Sequence, residues 1–360
     1  MRAGLWDVGA LYSTSDNHGH SSSSLFGGTE MKLLTLLCSG IGWLLLLLGG
    51  LWACGAVHYD APFGSSNGVV AILVAVAMVV GAVLVRRRRF VVPLVLFVLV
   101  LGWWFTLKPT NVGDWQPDVA QLGWAEIDGD EVTLHNVRNC DYRTELDYTP
   151  RWETRTVRIS QITGVDLAIN YWGSPWMAHP IASFQFADAP PVCFSIETRK
   201  KAGQSYSAIG GLYRQFELIY VAADERDVIR VRTNYRKGED IYLYRTTATP
   251  KQAQERFHEY LKSLNKMRDH PRWYNAITTN CTTTIRDQHP ASERQPWDWR
   301  LLVNGKGDEL MYERHTIVTD GLPFAELKER ALIDEAAKAA NDAPDFSARI
   351  RAGRPGFSDK

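Results

Sequence analysis

Three apolar runs near the start of the chain constrain its fold more than any other feature. Leu33–Ala56, Gly68–Val85 and Phe90–Leu107 are near-continuous apolar segments, and a helix needs about 20 such residues to cross a bilayer. Pro93 sits near the start of the third run, where a helix tolerates proline. None of the runs has a polar face, which argues against a buried helical hairpin of a water-soluble domain. Arg86–Arg89 fill the short connection between the second and third runs. Arginines clustered beside spans place that loop in the cytoplasm. The first run then enters from the cytoplasm, and everything after Lys108 is exported.

The expected organisation is an extension over 1–30, a three-helix transmembrane anchor over 31–107 and an exported domain over 108–360. Residues 1–30 are polar and rich in Gly and Ser, with no apolar periodicity. They read as disordered, or as sequence upstream of a start at Met31. Leu51-Trp52-Ala53-Cys54 bears a weak likeness to a lipoprotein cleavage box, which Trp52 opposes. A cleaved signal is disfavoured because the first run is long and further spans follow.

Charge is balanced, with 40 Lys+Arg against 40 Asp+Glu, so no basic field points to nucleic acid. The five cysteines are Cys38, Cys54, Cys140, Cys193 and Cys281. They form no C-x-x-C pair, and no histidine cluster has zinc-ligand spacing, so neither a metal nor a cofactor is expected. In an oxidising compartment, a Cys140–Cys193 disulfide is the pairing that leaves Cys281 free.

After Asn111 the texture becomes polar and aromatic. Alternating residues predict a hairpin over Ala125–His135 about Asp128-Gly129-Asp130. Strands are predicted over Thr154–Ile159, Thr163–Tyr171, Ile181–Phe186, Val192–Thr198, Gln215–Ala222, Val228–Thr233 and Ile241–Arg245. Gly173-Ser174-Pro175 reads as a break before His179. Thr249 and Pro250 open a helix whose apolar face is Ala253, Phe257, Leu261 and Leu264. Further helices are predicted over Leu302–His315 and Pro323–Asn341, with a short basic amphipathic tail over Asp345–Ala352. The exported part is therefore α+β, an antiparallel sheet followed by helices.

One stretch of it invites chemistry. Trp273–Arg286 holds Cys281 between Asn280 and Thr282-Thr283-Thr284. Asn280 is a good helix N-cap, and the start of a helix lowers a thiol pKa. The β-branched threonines weaken that helix, and a small buried cysteine or a surface loop is the plain alternative. A thiol nucleophile also needs a base and a group that orients the base. His135, His258, His270, His289 and His315 are poorly placed for it. His179 reads as standing at a strand mouth, rigid yet accessible. On the next strand Cys193, Ser195 and Glu197 share a face, so Ser195 or Glu197 is in position to hold the imidazole. The plain alternative is a structural His179, with Glu197 paired to Arg199 or Lys200.

The segments TPRWETRTVRISQITGVDLAINYWGSPWMAH, FSIETRK, YRQFELIYVAADERDVIRVRTN, NCTTTIR and DWRLLVNGKGDELMYE resemble the bacterial domain family named for the Lnb lipoprotein N-acyltransferase, in its N-terminal periplasmic domain. The similarity runs over roughly Gly113–Ile350. It implies a circularly permuted papain-like (NlpC-like) thiol enzyme, in which the histidine precedes a cysteine that follows an asparagine. His179 and Asn280-Cys281 fit that order. Permuted relatives often carry a second histidine on the adjacent strand, where this chain has Ser195 and Glu197.

With the three runs as spans, the chain reads as a multi-pass protein of the inner membrane, and the resemblance implies a bacterial, periplasmic thiol acyltransferase or acyl hydrolase. The lipid bilayer would be its partner and a lipoprotein or phospholipid its acyl donor. Cys281 would be the nucleophile, His179 the base, and Cys281 N–H with the Asn280 amide the oxyanion support. A cell-wall amidase of NlpC type and a non-catalytic exported binding domain, suggested by the wealth of Trp and Tyr, are the alternatives.

Overall fold

The computed structural model describes residues 27–85, 89–280, 284–285, 298–301 and 304–357. Cys281, His289 and most of the arginine loop lie outside the described residues. The chain divides into two compact units. One takes the residues up to Cys54 together with Ala71–Leu99; the other takes Gly55–Val70 and Val100–Lys360.

The apolar runs form helices α1 (Gly27–Asp60), α2 (Asn67–Leu84) and α3 (Val91–Thr106). Leu33, Leu37, Leu44, Leu48 and Leu51 on α1 are each more than half exposed. Such a surface suits lipid, where a helix satisfies its own backbone groups. Within this unit small residues let side chains close in, with Gly49 under the Phe97 ring and Gly50 beside the Met78 sulfur.

Two helical segments, Met31–Asp60 and Gly64–Leu84, are long and apolar enough to cross a membrane, where three were expected. The third helix has 16 residues, a rise of about 24 Å, against a hydrocarbon core of about 30 Å. Prolines bound it. Pro93 fits only the first turn, and Pro109 disfavours helix just beyond the last.

The second unit is built on an eight-stranded sheet. Its strands are β1 (Trp124–Asp128), β2 (Glu131–Arg138), β5 (Trp152–Arg158), β6 (Ile162–Trp172), β7 (Ser174–Phe186), β8 (Val192–Arg199), β9 (Glu217–Ala223) and β10 (Glu239–Arg245). The order is β1-β2-β9-β8-β7-β6-β10, with β5 also paired to β2. Every pairing is antiparallel except a single parallel contact of β2 with β9, at Arg138 and Ala223. A small hairpin, β3 (Asp141–Tyr142) with β4 (Tyr148–Thr149), stands apart.

Alternation splits this sheet into two faces. Phe184, Phe194, Ile196, Leu218 and Tyr220 meet helix α5 (Pro250–Asp269) through Phe257, Tyr260, Leu261 and Leu264. Each such side chain buried contributes about 1.5–3 kcal/mol. Thr249 and Gln252 close α5 with a reciprocal capping box. The other face presents Ala168, Ile181, Cys193, Val221 and Ile241. It is covered by Val228 and Ile229 and by the C-terminal Ile333, Phe346 and Ile350.

Several expectations give way. Val228–Thr233 is not a strand: α4 (Glu225–Val228) is followed by a π-helix over Val231–Tyr235. Asp224 caps α4 by accepting from Arg226 N–H, and the buried arginines that mimic alternation find carboxylates. Pro323–Asn341 is two helices, Phe324–Ala331 and Asp334–Ala339. Leu332 is extended between them, and Ile333 N–H donates to Ile241 O on β10. In the second half of Leu302–His315 the α-helix is only Gly307–Glu313.

The turn at Gly173, with φ +65°, joins β6 directly to β7. His179 is therefore inside a long strand, paired with Asn170, and not at its mouth. Cys140 and Cys193 are free thiols and not a disulfide. Cys193 sits under the C-terminal helices, whereas Cys140 packs with Tyr142 and Val231.

Candidate functional site

On the face of the sheet away from α5, four polar side chains from three elements form a continuous line. The β7–β8 register sets Ile181 opposite Ser195, so His179 and Glu197 lie on that same face. His179 Nε2 is 2.7 Å from Ser195 Oγ. Ser195 Oγ donates to Glu197 Oε1 at 2.7 Å. Arg232 Nη2, from the π-helix, donates to the same carboxylate oxygen at 3.0 Å. Arg232 also donates to Val228 O at 2.7 Å, which ties it to the end of α4.

The direction of this chain follows from its end. A carboxylate only accepts, so Ser195 must donate to Glu197. The Ser195 oxygen then accepts from His179, whose Nε2 must carry the proton. The neutral imidazole is left with its lone pair on Nδ1, the arrangement of a base.

Electrostatics hold these states. Burial pushes the His179 pKa down to about 3, with the Arg232 charge adding to the fall and Glu197 opposing it. Burial also works against the Glu197 charge, but Arg232 and Arg138 outweigh it and hold this carboxyl well below the ordinary range. Arg138 is itself clamped by Asp227 at 2.9 Å, and Asp227 accepts from Cys140 N–H at 2.7 Å.

His179, Ser195 and Glu197 are thus brought together. Arg199 is not the partner of Glu197: it donates to Val119 O and Ala120 O and lies 4.3 Å from the Trp115 ring centroid. Cys281 lies outside the described residues. Asn280 is buried, and its carbonyl accepts from Thr284 N–H at 3.0 Å. Its side-chain amide donates to Ala276 O at 2.9 Å. Ala276 and Ile285, on either side of Asn280, pack with the α5-side core, on the face opposite His179.

Sequence reasoning missed Arg232. Once Val228–Thr233 is read as a strand, this arginine has no reason to approach Glu197. The signal available was Asp224, a strong N-cap residue ahead of a run otherwise suggestive of β-structure. The other two thiols after Lys108 make poor nucleophiles. Burial and the Asp227 charge push the Cys140 thiol up to about 12. Burial and Glu225 raise that of Cys193. No group of His, Cys, Asp and Glu among the described residues could hold a metal ion.

Fold and line together define an α+β domain behind apolar helices, with a buried, charge-anchored histidine on its sheet. Residues 148–305 match the family model of the Lnb N-terminal periplasmic domain. The match is narrower than the resemblance suggested, but it spans His179, Ser195, Glu197, Arg232 and Cys281. Comparison with curated proteins and with solved structures returns no match.

Proposed function

We propose that the chain is a multi-pass protein of the bacterial inner membrane whose periplasmic domain is a thiol acyltransferase or acyl hydrolase of permuted NlpC-like fold. Cys281 attacks the carbonyl of an acyl lipid or lipoprotein while His179 Nδ1 takes the thiol proton. The tetrahedral intermediate collapses with loss of the alcohol or amine, which recovers that proton, and leaves a thioester on sulfur. An amine or water then attacks the thioester, and the thiol re-forms as the acyl product departs. The backbone N–H of Cys281 is the oxyanion donor in this reading.

The observation that supports this reading is the one-way hydrogen-bond chain from His179 through Ser195 and Glu197 to Arg232. It leaves a neutral imidazole with an acceptor Nδ1. The reading requires the Cys281 thiol to come within reach of that nitrogen. The test is labelling of the full chain, in detergent or vesicles, with a thiol-reactive acyl-lipid probe. Wild type is expected to label and Cys281→Ala not; equal labelling of both removes the proposal.

A further inference from the structure

The segment leading to Cys281 hangs on the same loop that grips the ends of the apolar helices. Arg214 N–H donates to Asp60 Oδ2 at 3.0 Å, and Trp104 Nε1 donates to the same oxygen at 2.7 Å. The Arg214 guanidinium bonds the carbonyls of Trp104 and Leu107 and lies 3.9 Å from the Trp104 ring centroid. Gln215 bonds Tyr59 O, and Tyr213 stacks on Tyr59 with centroids 5.2 Å apart. Gly55 leaves no room for a Cβ beneath the Tyr213 hydroxyl.

On its other side this loop holds the thiol segment. Ala276 N–H donates to Gly211 O at 2.8 Å and Asn275 Nδ2 to Leu212 O at 3.2 Å. Asn275 and Thr279 exchange backbone hydrogen bonds across a tight turn.

The tips of these two segments are apolar and uncovered. Ile209 is 61 % exposed, Ile277 55 % and Leu212 38 %. Folding elsewhere in the unit buries such side chains, so these are left for a surface that removes them from water. The clamp that carries them is bonded to the last turns of α1 and α3, where a membrane interface must lie if these helices cross a bilayer. The aromatic groups in the clamp, Tyr59, Trp104 and Tyr213, are those favoured at that depth.

We infer that Ile209, Leu212 and Ile277 form a docking face that dips into the leaflet on the domain's side of the membrane. The occupant is phospholipid of the bilayer that the chain's own helices enter. Docking holds the 275–280 segment at the lipid surface, so that whatever chemistry follows Asn280 takes place where acyl chains are in reach. The inference depends on the apolar helices and the clamp, and not on the reactivity of Cys281.

The test uses the full chain reconstituted into protein-free phosphatidylcholine–phosphatidylglycerol vesicles. An environment-sensitive fluorescent amino acid replaces Ile209 or Ile277, with Leu146, an exposed residue of the β3–β4 hairpin, as reference. Shallow nitroxide-labelled lipids should quench the Ile209 and Ile277 positions several-fold more than the Leu146 position. Backbone amides of 206–213 should also exchange more slowly in vesicles than in detergent. Quenching at Ile209 and Ile277 no greater than at Leu146 overturns the docking face, a partner protein in place of lipid included. Loss of probe labelling in Cys281→Ala leaves these readings unchanged, so the two proposals fail separately.

Discussion

At the scale of single residues, the site depends on which charge faces which. Arg232 is the cation paired directly with Glu197 beneath the sheet, with only 4 % and 14 % of the two side chains exposed. Removing one member of a buried pair strands the other, at about 3–5 kcal/mol. Arg232→Met is therefore expected to lower unfolding free energy by that order in chemical denaturation. Arg232→Met with Glu197→Gln should recover much of the loss, because no uncompensated charge remains. Equal stability of wild type and Arg232→Met would show the pair to be solvated. Residues were the most legible scale in the sequence: alternation alone put Ser195 and Glu197 on one face, facing His179. Arg232 was illegible because its approach depends on a helical turn that local β-propensity conceals.

At the scale of elements, strand register positions the histidine and one glycine shapes the ground above it. Regular alternation made β1, β2, β6, β8 and β10 readable to within a few residues. Thr249 as N-cap and Pro250 as first helical residue did the same for α5. Two elements resisted. The β6–β7 connection looked like a break because Gly173 and Pro175 are turn residues, yet the positive φ of Gly173 makes a tight hairpin that continues both strands. The 323–341 helix is interrupted at Leu332 by pairing to β10, a tertiary contact that helix propensity does not register. Over the start of β7 lies Gly305, where an added Cβ would come within 2.3 Å of Pro175 O and 2.7 Å of Trp176 Cα. Both neighbours are backbone and have little freedom to yield. Gly305→Ala should destabilise the sheet-bearing unit by about 1–3 kcal/mol, as overpacking does. Thermal unfolding in detergent measures it; an unchanged midpoint would mean that 304–306 moves away freely.

For the whole molecule, stability and pH are coupled through the same line of groups. The folded pKa of His179 lies near 3, below its ordinary value of 6.5. Its contribution is complete above 6.5 and is lost as pH falls from there towards 3, because only the unfolded chain takes the proton. Glu197, held below its ordinary 4.5, adds a loss of the same sign below that pH. Urea titrations should therefore show stability falling between pH 6.5 and 4, and His179→Asn should flatten that slope. A slope unchanged by His179→Asn would assign the acid loss elsewhere, for instance to buried Glu225, whose carboxyl Arg351 helps hold below its ordinary range. That apolar helices precede an α+β unit was plain from the apolar runs. The number of long spans was not, because two prolines trim the third.

The central claim is that a thiol from the segment after Asn280 meets the imidazole of His179. It can be measured directly with 1,3-dibromoacetone, whose two electrophilic carbons join a thiol to an imidazole only when the two are in reach of each other. After treatment of the full chain in detergent and proteolysis, mass spectrometry should find the Cys281 peptide joined to the His179 peptide, and not joined in His179→Asn. Recovery of Cys281 singly alkylated, with the second arm hydrolysed or on another residue, would contradict the account.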